Sequence, residues 1–330
     1  MRRLVPPLLV VALLAGCAGE PGESAPSESP NEPSRSATAP TSTPATASDP
    51  SPTTEPTTLA PDPRLSADDV EVATAFRAVE HLADMIGPRP GHTEAYFRAA
   101  AWAERQLTAA GWQVERQRFP TPAGNSWGVP VEAGPSVNLI ATRGEHDPSE
   151  PWLLVGAHLD TVPQAPGAED NASGVGVLLA LAEAMDGRRT RLPVTLVLFG
   201  SEEPRGPGEA HHYGSKAYVS QLGRAERRSL EAMVSLDRVG VGDVVPVQTV
   251  REANDVSTAL ERVARQADVP TVREEFETSS DHESFADEGL PAARLGSTPY
   301  AGYHSAGDLP SGIDRAQLAR VGRLMASWLR

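Results

Sequence analysis

The sequence predicts an α/β fold: a single globular domain with a mixed, mostly parallel central sheet flanked by helices. Three observations predict it. Short continuous apolar runs recur from residue 66 onward, amphipathic helical patterns lie between them, and the first 64 residues carry neither pattern.

Taken in order, the chain begins with Arg2 and Arg3, an apolar stretch Leu4 to Leu14, and Leu14-Ala15-Gly16-Cys17. Positive charge followed by a short apolar run reads as a secretory signal over residues 1–16, too short to span a bilayer as a helix. Leu-Ala-Gly-Cys resembles the lipobox of bacterial lipoproteins, in which the peptide is cut before the cysteine and its sulfur receives a diacylglycerol. The resemblance implies export and a lipid anchor through Cys17 on the outer face of the cell membrane, with shedding into the medium as the other fate. Cys17 is the sole cysteine, so no intrachain disulfide can form.

Residues 17–64 are dominated by Pro, Ser, Thr and Ala. Such a stretch cannot bury enough surface to offset its chain entropy, and it reads as a disordered, semi-stiff tether. An O-glycosylated stalk or a degraded propeptide is the alternative. The net charge of −15 argues against nucleic acid, which needs a basic face.

Residues 65–330 then read as one domain without internal repeats. Ala95 to Ala110 has helical spacing and stops at Gly111, and Trp112 to Phe119 alternates as a strand does. Trp152 to Ala157 is a continuous apolar run, as expected for a strand buried on both faces, and Val194 to Phe199 and Ala232 to Leu236 read as a second and a third buried strand. Ser173 to Met185 reads as a buried helix closed by Gly187, while Asp255 to Ala267 and Asp314 to Leu329 are amphipathic helices with acidic starts.

Each of the three buried strands is followed at once by metal-type ligands: His158 and Asp160, Glu202 and Glu203, and Asp237. Asp170 and His304 complete an ordered series. In open α/β sheets ligands bind beyond the carboxyl ends of the strands, so residues distant in sequence can converge there. Two imidazoles and three carboxylates can hold two zinc-like ions if one carboxylate bridges them.

His158 is then a ligand, with Asp160 accepting its other ring N–H. A surface turn is the bland alternative. Asp170 suits the bridge, while Asn171 and Ser173 suit helix capping; the Asn171-Ala172-Ser173 sequon is discounted because a glycan would block the site. Adjacent carboxylates repel unless cations neutralise them, which assigns Glu203 as a ligand and leaves Glu202 free as general base. Asp237 joins the ion of His158, and His304 joins that of Glu203.

These residues, together with Ser280-Asp281-His282-Glu283-Ser284-Phe285 and Tyr303-His304, resemble the M28 co-catalytic zinc peptidases, typified by secreted bacterial aminopeptidases. The resemblance runs from about Arg89 to the C-terminus. It implies a zinc-peptidase architecture, two Zn²⁺ bridged by Asp170, peptide substrates and removal of N-terminal residues. It further implies Tyr303 as an oxyanion donor, Asp281 and His282 as supports or pocket lining, and a cis bond between Asp170 and Asn171. A monomer is expected.

Two departures stand out. Pro204 to Tyr213 is longer than the turn that usually follows the Glu-Glu pair, and it reads as a solvated loop, although His211 and His212 could approach the site. Arg238 stands where relatives often carry an apolar residue; it pairs with a local acid or presents its guanidinium to a substrate carboxylate. The competing functions are a dipeptidase or other M20-like amidohydrolase, since His158-Leu-Asp-Thr-Val-Pro163 also looks like that group's first motif, a glutaminyl-cyclase-like transferase, and a non-catalytic surface binding protein.

Overall fold

The computed structural model describes residues 62–144, 147–208, 210–296 and 298–330. The signal segment, Cys17 and all but the end of the expected tether lie outside the described residues. That end already engages the fold: Arg64 bridges to Arg189, and Leu65 is fully buried.

The elements run α1 (Val72–Glu80), α2 (Glu94–Ala109), β1 (Gln113–Thr121), β2 (Gly124–Ser126), β3 (Val129–Val131), β4 (Gly134–Thr142), β5 (Trp152–His158) and α3 (Gly174–Ala184). They continue with β6 (Val194–Phe199), α4 (Tyr213–Gln221), α5 (Arg224–Ser229), β7 (Leu230–Leu236), β8 (Val245–Thr249), α6 (Asp255–Gln266), β9 (Thr271–Glu275), α7 (His282–Asp287), β10 (Ala292–Leu295) and α8 (Arg315–Leu329). Local chemistry sets the helix ends. Thr93 accepts a hydrogen bond from the Tyr96 amide at the start of α2, and Gly111, at φ +81°, turns the chain out of it.

Eight strands form one sheet in the order β1-β4-β6-β5-β7-β10-β8-β9. The pairs β6/β5, β5/β7, β7/β10 and β8/β9 are parallel, and β1/β4, β4/β6 and β10/β8 antiparallel. The sheet is therefore mixed and mostly parallel, and a separate two-stranded hairpin, β2 and β3, stands beside it.

The unbroken apolar runs are explained by two cores, one on each face. Leu153, Val155 and Ala157 of β5 pack with α1, α2, α3, α6 and α8, whereas Trp152 and Leu154 pack on the other face with Tyr218 of α4 and Phe285 of α7. Alternate residues thus enter different cores, and no position on the strand needs to be polar. Helix α3 is buried on nearly every side, which matches its uniform apolarity.

Strand β5 has β6 on one side and β7 on the other. Since β6 precedes β7 in sequence, the chain crosses over β5 between them, and the carboxyl end of β5 is a topological switch point. The segments leaving β5, β6, β7 and β10 all open at that end.

Candidate metal centre

His158 is the last residue of β5 rather than the first beyond it. Its ring Nε2 faces three carboxylates: Asp170 Oδ1 at 3.1 Å, Asp237 Oδ1 at 3.5 Å and Glu202 Oε2 at 4.0 Å. The other Asp170 oxygen, Oδ2, lies 3.0 Å from His304 Nε2, which also approaches Glu203 Oε2 at 3.4 Å. Two triads therefore form, His158–Asp170–Asp237 and Asp170–Glu203–His304, and they share Asp170. Glu202 is close enough to join His158 and Glu203 in a third grouping.

Asp170 is held by its neighbours on both sides of the chain. The Asp308 carboxylate accepts the Glu169 and Asp170 amides at 2.7 and 3.1 Å, and the buried Glu169 carboxylate accepts the Gly240 and Val241 amides. That ties the turn after β5 to the turn after β7. The Asp170–Asn171 peptide is cis. Asn171 is fully buried: its amide donates to the Leu236 carbonyl and its oxygen accepts from the Gly174 and Arg238 amides. It thus caps the start of α3 and leaves no room for a glycan.

Asp160 differs from expectation. Its carboxylate accepts the backbone amides of Glu202 at 3.0 Å and Glu203 at 3.3 Å, while His158 Nδ1 lies 3.2 Å from the Asp160 carbonyl oxygen and 3.8 Å from its carboxylate. The chain turns after β5 so that the main chain meets the ring. Asp160 therefore registers the Glu-Glu pair rather than steering the imidazole with its carboxylate.

The segment after β6 is the larger correction. Its outer part, Pro207 and Gly208, is exposed, but the chain folds back through hydrogen bonds from the Arg205 amide to Ala210 and from the His212 amide to Glu202. His212 is buried, with Nε2 3.0 Å from Glu202 Oε1 and Nδ1 3.1 Å from Glu283 Oε2. A solvated loop was expected; instead it delivers a histidine to the site.

Burial and the neighbouring charges push the pKa values of the acids apart. Burial raises the Glu203 pKa well above the usual range, and Asp170 and Glu202 add to it. Burial also works against ionisation of Asp170, but His158 and His304 overcome it and hold that carboxyl well below the ordinary value. For Asp237, burial is outweighed by Arg294 and His158, and its pKa falls to about 2. Burial disfavours charge on His158, yet Glu202 and the surrounding aspartates raise its pKa well above normal. Such a set recruits positive charge wherever it can find it.

The donor set fits a zinc-type cation. A tetrahedron with bonds near 2.0 Å has edges of about 3.3 Å, and the nitrogen-to-oxygen spacings within the two triads run from 3.0 to 3.5 Å. Buried Asp237 Oδ1, the oxygen that faces His158, has no hydrogen-bond partner, which leaves it free for an ion.

Arg294 carried no expectation of a role. It is fully buried in β10, forms an ion pair with Asp237 Oδ2 at 3.0 Å, donates to the Asp237 carbonyl at 3.3 Å, and donates to Ser279 through Nη1. A charged residue in a four-residue apolar strand was the available signal, since it demands a counter-ion. Gly296 follows at φ +106°, where an added Cβ would stand 1.9 Å from the Asp237 carbonyl oxygen.

Around the cleft, the Arg238 guanidinium lies 4.4 Å over the Tyr303 ring, and Tyr303 stacks on His304 with ring centroids 3.7 Å apart. Trp127, at the tip of the β2–β3 hairpin, is 55% exposed and meets His304 edge-on at 4.5 Å. Asp281 and His282 are fully buried behind the cleft wall. Burial and Glu202 raise the Asp281 pKa to about 7. Trp127, Ser201, His212, Arg238 and His304 all have positive φ, between 51° and 58°.

Comparison with known proteins agrees with this architecture. The aminopeptidase YwaD of Bacillus subtilis is 27% identical over 204 residues, covering 58% of this chain and 44% of that protein. The chain spans about half the length of the curated relatives it matches. Among solved structures, the zinc aminopeptidase BSAP from Bacillus subtilis superposes with a TM-score of 0.70 at 18% identity, over 78% of this chain and 94% of its own. Glutaminyl cyclase of Porphyromonas gingivalis superposes with a TM-score of 0.68 at 23% identity, over 79% and 98%. At these identities the structures share the fold. The family model for peptidase family M28 matches residues 138–329, well over half of the chain, and the chain belongs to that family.

Proposed function

We propose that this chain is a zinc-dependent exopeptidase that removes N-terminal residues from peptides. The observation that carries the reading is the position of Asp170, whose two oxygens each face a different histidine, at 3.1 and 3.0 Å. His158, Asp170 and Asp237 would hold one ion, and Asp170, Glu203 and His304 the other. When bound, two such ions polarise a carbonyl and lower the pKa of water toward neutrality.

The chain's own residues manage protons and position. Glu202 takes the proton of the attacking water and delivers it to the leaving nitrogen. Asp160 keeps it in register by accepting the Glu202 and Glu203 amides. Burial and Asp170 raise the pKa of Tyr303, so its hydroxyl is a neutral donor at pH 7, suited to an oxygen that gains charge. Arg238 stays cationic beside the cleft, where it can meet a substrate carboxylate and favour short peptides with a free C-terminus. A cleft of about 240 Å³ suits a chain end better than a long segment. Export and anchoring through Cys17, supported by the Leu14–Cys17 motif, would place this activity outside the cell.

The test compares wild type and Glu202→Gln on free-amine peptides, N-blocked peptides and peptides with N-terminal glutamine, with metal content measured alongside. Wild type should cleave free-amine peptides and lose this activity to a chelator. The variant should retain its metal and lose about 10²- to 10⁴-fold in rate. Cleavage of blocked peptides alone, or cyclisation of glutamine in place of hydrolysis, would overturn the exopeptidase reading; an undiminished variant would remove Glu202 as the base.

A further inference from the structure

Beside the triads on Asp170, a separate group of ligand atoms converges where the segment after β6 meets the first turn of α7. His212 Nδ1 and His211 Nδ1 lie 3.1 and 3.7 Å from the same oxygen, Oε2 of Glu283. The two imidazoles are nearly perpendicular, at 85°, with centroids 3.9 Å apart. All three facing atoms are buried, and none makes a hydrogen bond.

That last fact discriminates between explanations. Were His212 simply donating to Glu283, an approach of 3.1 Å would be aligned as a hydrogen bond; it is not. One ligand atom of each of the three residues lies within 4.8 Å of the others, close enough for a single ion to meet all three. Their spacings straddle the edge of about 3.3 Å expected around a tetrahedral ion with bonds near 2.0 Å. Leaving three buried polar atoms unpaired is costly, whereas one cation would satisfy them together.

We infer that His211, His212 and Glu283 form a further divalent-cation site, of the zinc type, on the wall of the active cleft. It draws no ligand from the Asp170 cluster and stands whether that cluster holds one ion or two. Its link to the chemistry runs through the second nitrogen of His212, which lies 3.0 Å from Glu202 Oε1. A ligated Nδ1 leaves Nε2 as the protonated nitrogen, so the ring must donate to Glu202 and hold that carboxylate in place. His212 is then a positioning residue for Glu202. Its competitor is a bare imidazolium between Glu202 and Glu283: burial opposes that charge, but the two carboxylates outweigh it and raise the pKa to about 9.

The test strips the full chain of metal, restores it with Zn²⁺ and then with Co²⁺, and counts bound ions per chain after free metal is removed. His211→Ala and Glu283→Gln are compared with wild type, and His304→Ala reports independently on the Asp170 cluster. His211 sits on a partly exposed segment, so its truncation should spare the fold, and circular dichroism checks this. Each of the two variants should bind one ion fewer than wild type and lose the same component of the Co²⁺ absorption spectrum. Equal ion counts in wild type and both variants would overturn the site and leave His212 as an imidazolium. If His304→Ala loses nothing, the reading of the Asp170 cluster fails, while the His211 comparison still decides this one.

Discussion

Arg294→Met removes the guanidinium that pairs with Asp237 inside the sheet, and its cost can be worked from the structure. The guanidinium is fully buried, 3.0 Å from Asp237 Oδ2, and also binds Ser279 Oγ at 2.8 Å. Methionine keeps much of the apolar bulk and removes the charge. Asp237 is held at about 2 against an ordinary 3.8, with burial opposing and Arg294 the largest favourable cause. At about 1.4 kcal/mol per unit, the part of that depression owed to Arg294 is on the order of 2 kcal/mol. Breaking a buried pair by removing one member usually costs about 3–5 kcal/mol in all, and here Ser279 loses its partner as well. Because the folded pKa is depressed, the contribution is fully present at pH 7 and is lost only as pH falls from the ordinary value toward 2. Urea unfolding at pH 7, followed by circular dichroism, should show this loss in chelator. With saturating Zn²⁺ the loss should shrink, since a cation facing the other Asp237 oxygen offsets the missing arginine. A loss under about 1 kcal/mol in chelator, or an equal loss with and without zinc, would refute the assignment of Asp237 to a cation site.

Two further outcomes follow from the same region. Gly296→Ala forces a Cβ to within 1.9 Å of the Asp237 carbonyl and places a side chain at φ +106°; the backbone must move, and the variant should lose bound metal together with at least ~1 kcal/mol of stability, so full metal retention in elemental analysis would contradict this. Burial, with Arg294 and His212, lowers the His282 pKa to about 3, and its neutral ring donates to the Glu277 carbonyl at 3.0 Å. Between pH 6.5 and 3 the unfolded chain binds a proton that the fold refuses, so stability should fall as pH drops, by up to about 1.4 kcal/mol per unit. His282→Gln, compared in chelator, should flatten that slope; unchanged slopes would place the acid sensitivity elsewhere.

The parts of the fold legible in sequence were those where one physical demand dominates. Strands β5, β6 and β7 are buried on both faces, apart from Glu231 at the start of β7, so nearly every position is apolar and the run is plain. The charged residues and the histidine at their carboxyl ends were legible for the same reason, since they stand out against such runs. β10 was not, because Arg294 breaks a run of only four residues and its justification, Asp237, lies far away in sequence. Asp160 shows a finer limit: His-x-Asp spacing permits either oxygen type to meet the ring, and only the path of the chain after β5 decides that the carbonyl does. His212 was hidden because the loop that carries it is polar and partly exposed, and its burial depends on a return to Glu202 that no periodicity announces.

Five of the seven non-glycine residues with positive φ among the described residues cluster at the cleft. A left-handed L residue costs about 1–2 kcal/mol, so together they consume a sizeable share of the roughly 5–15 kcal/mol that separates a folded domain from its unfolded chain. Glycine would relieve each position, yet at Trp127, His212, Arg238 and His304 it would delete the side chain that the cleft uses. Selection for heat resistance therefore meets a ceiling set by the site itself. Variants of this chain selected for higher temperature would gain their margin in the two cores, the helix ends and the surface, and leave the backbone of the cleft as it is.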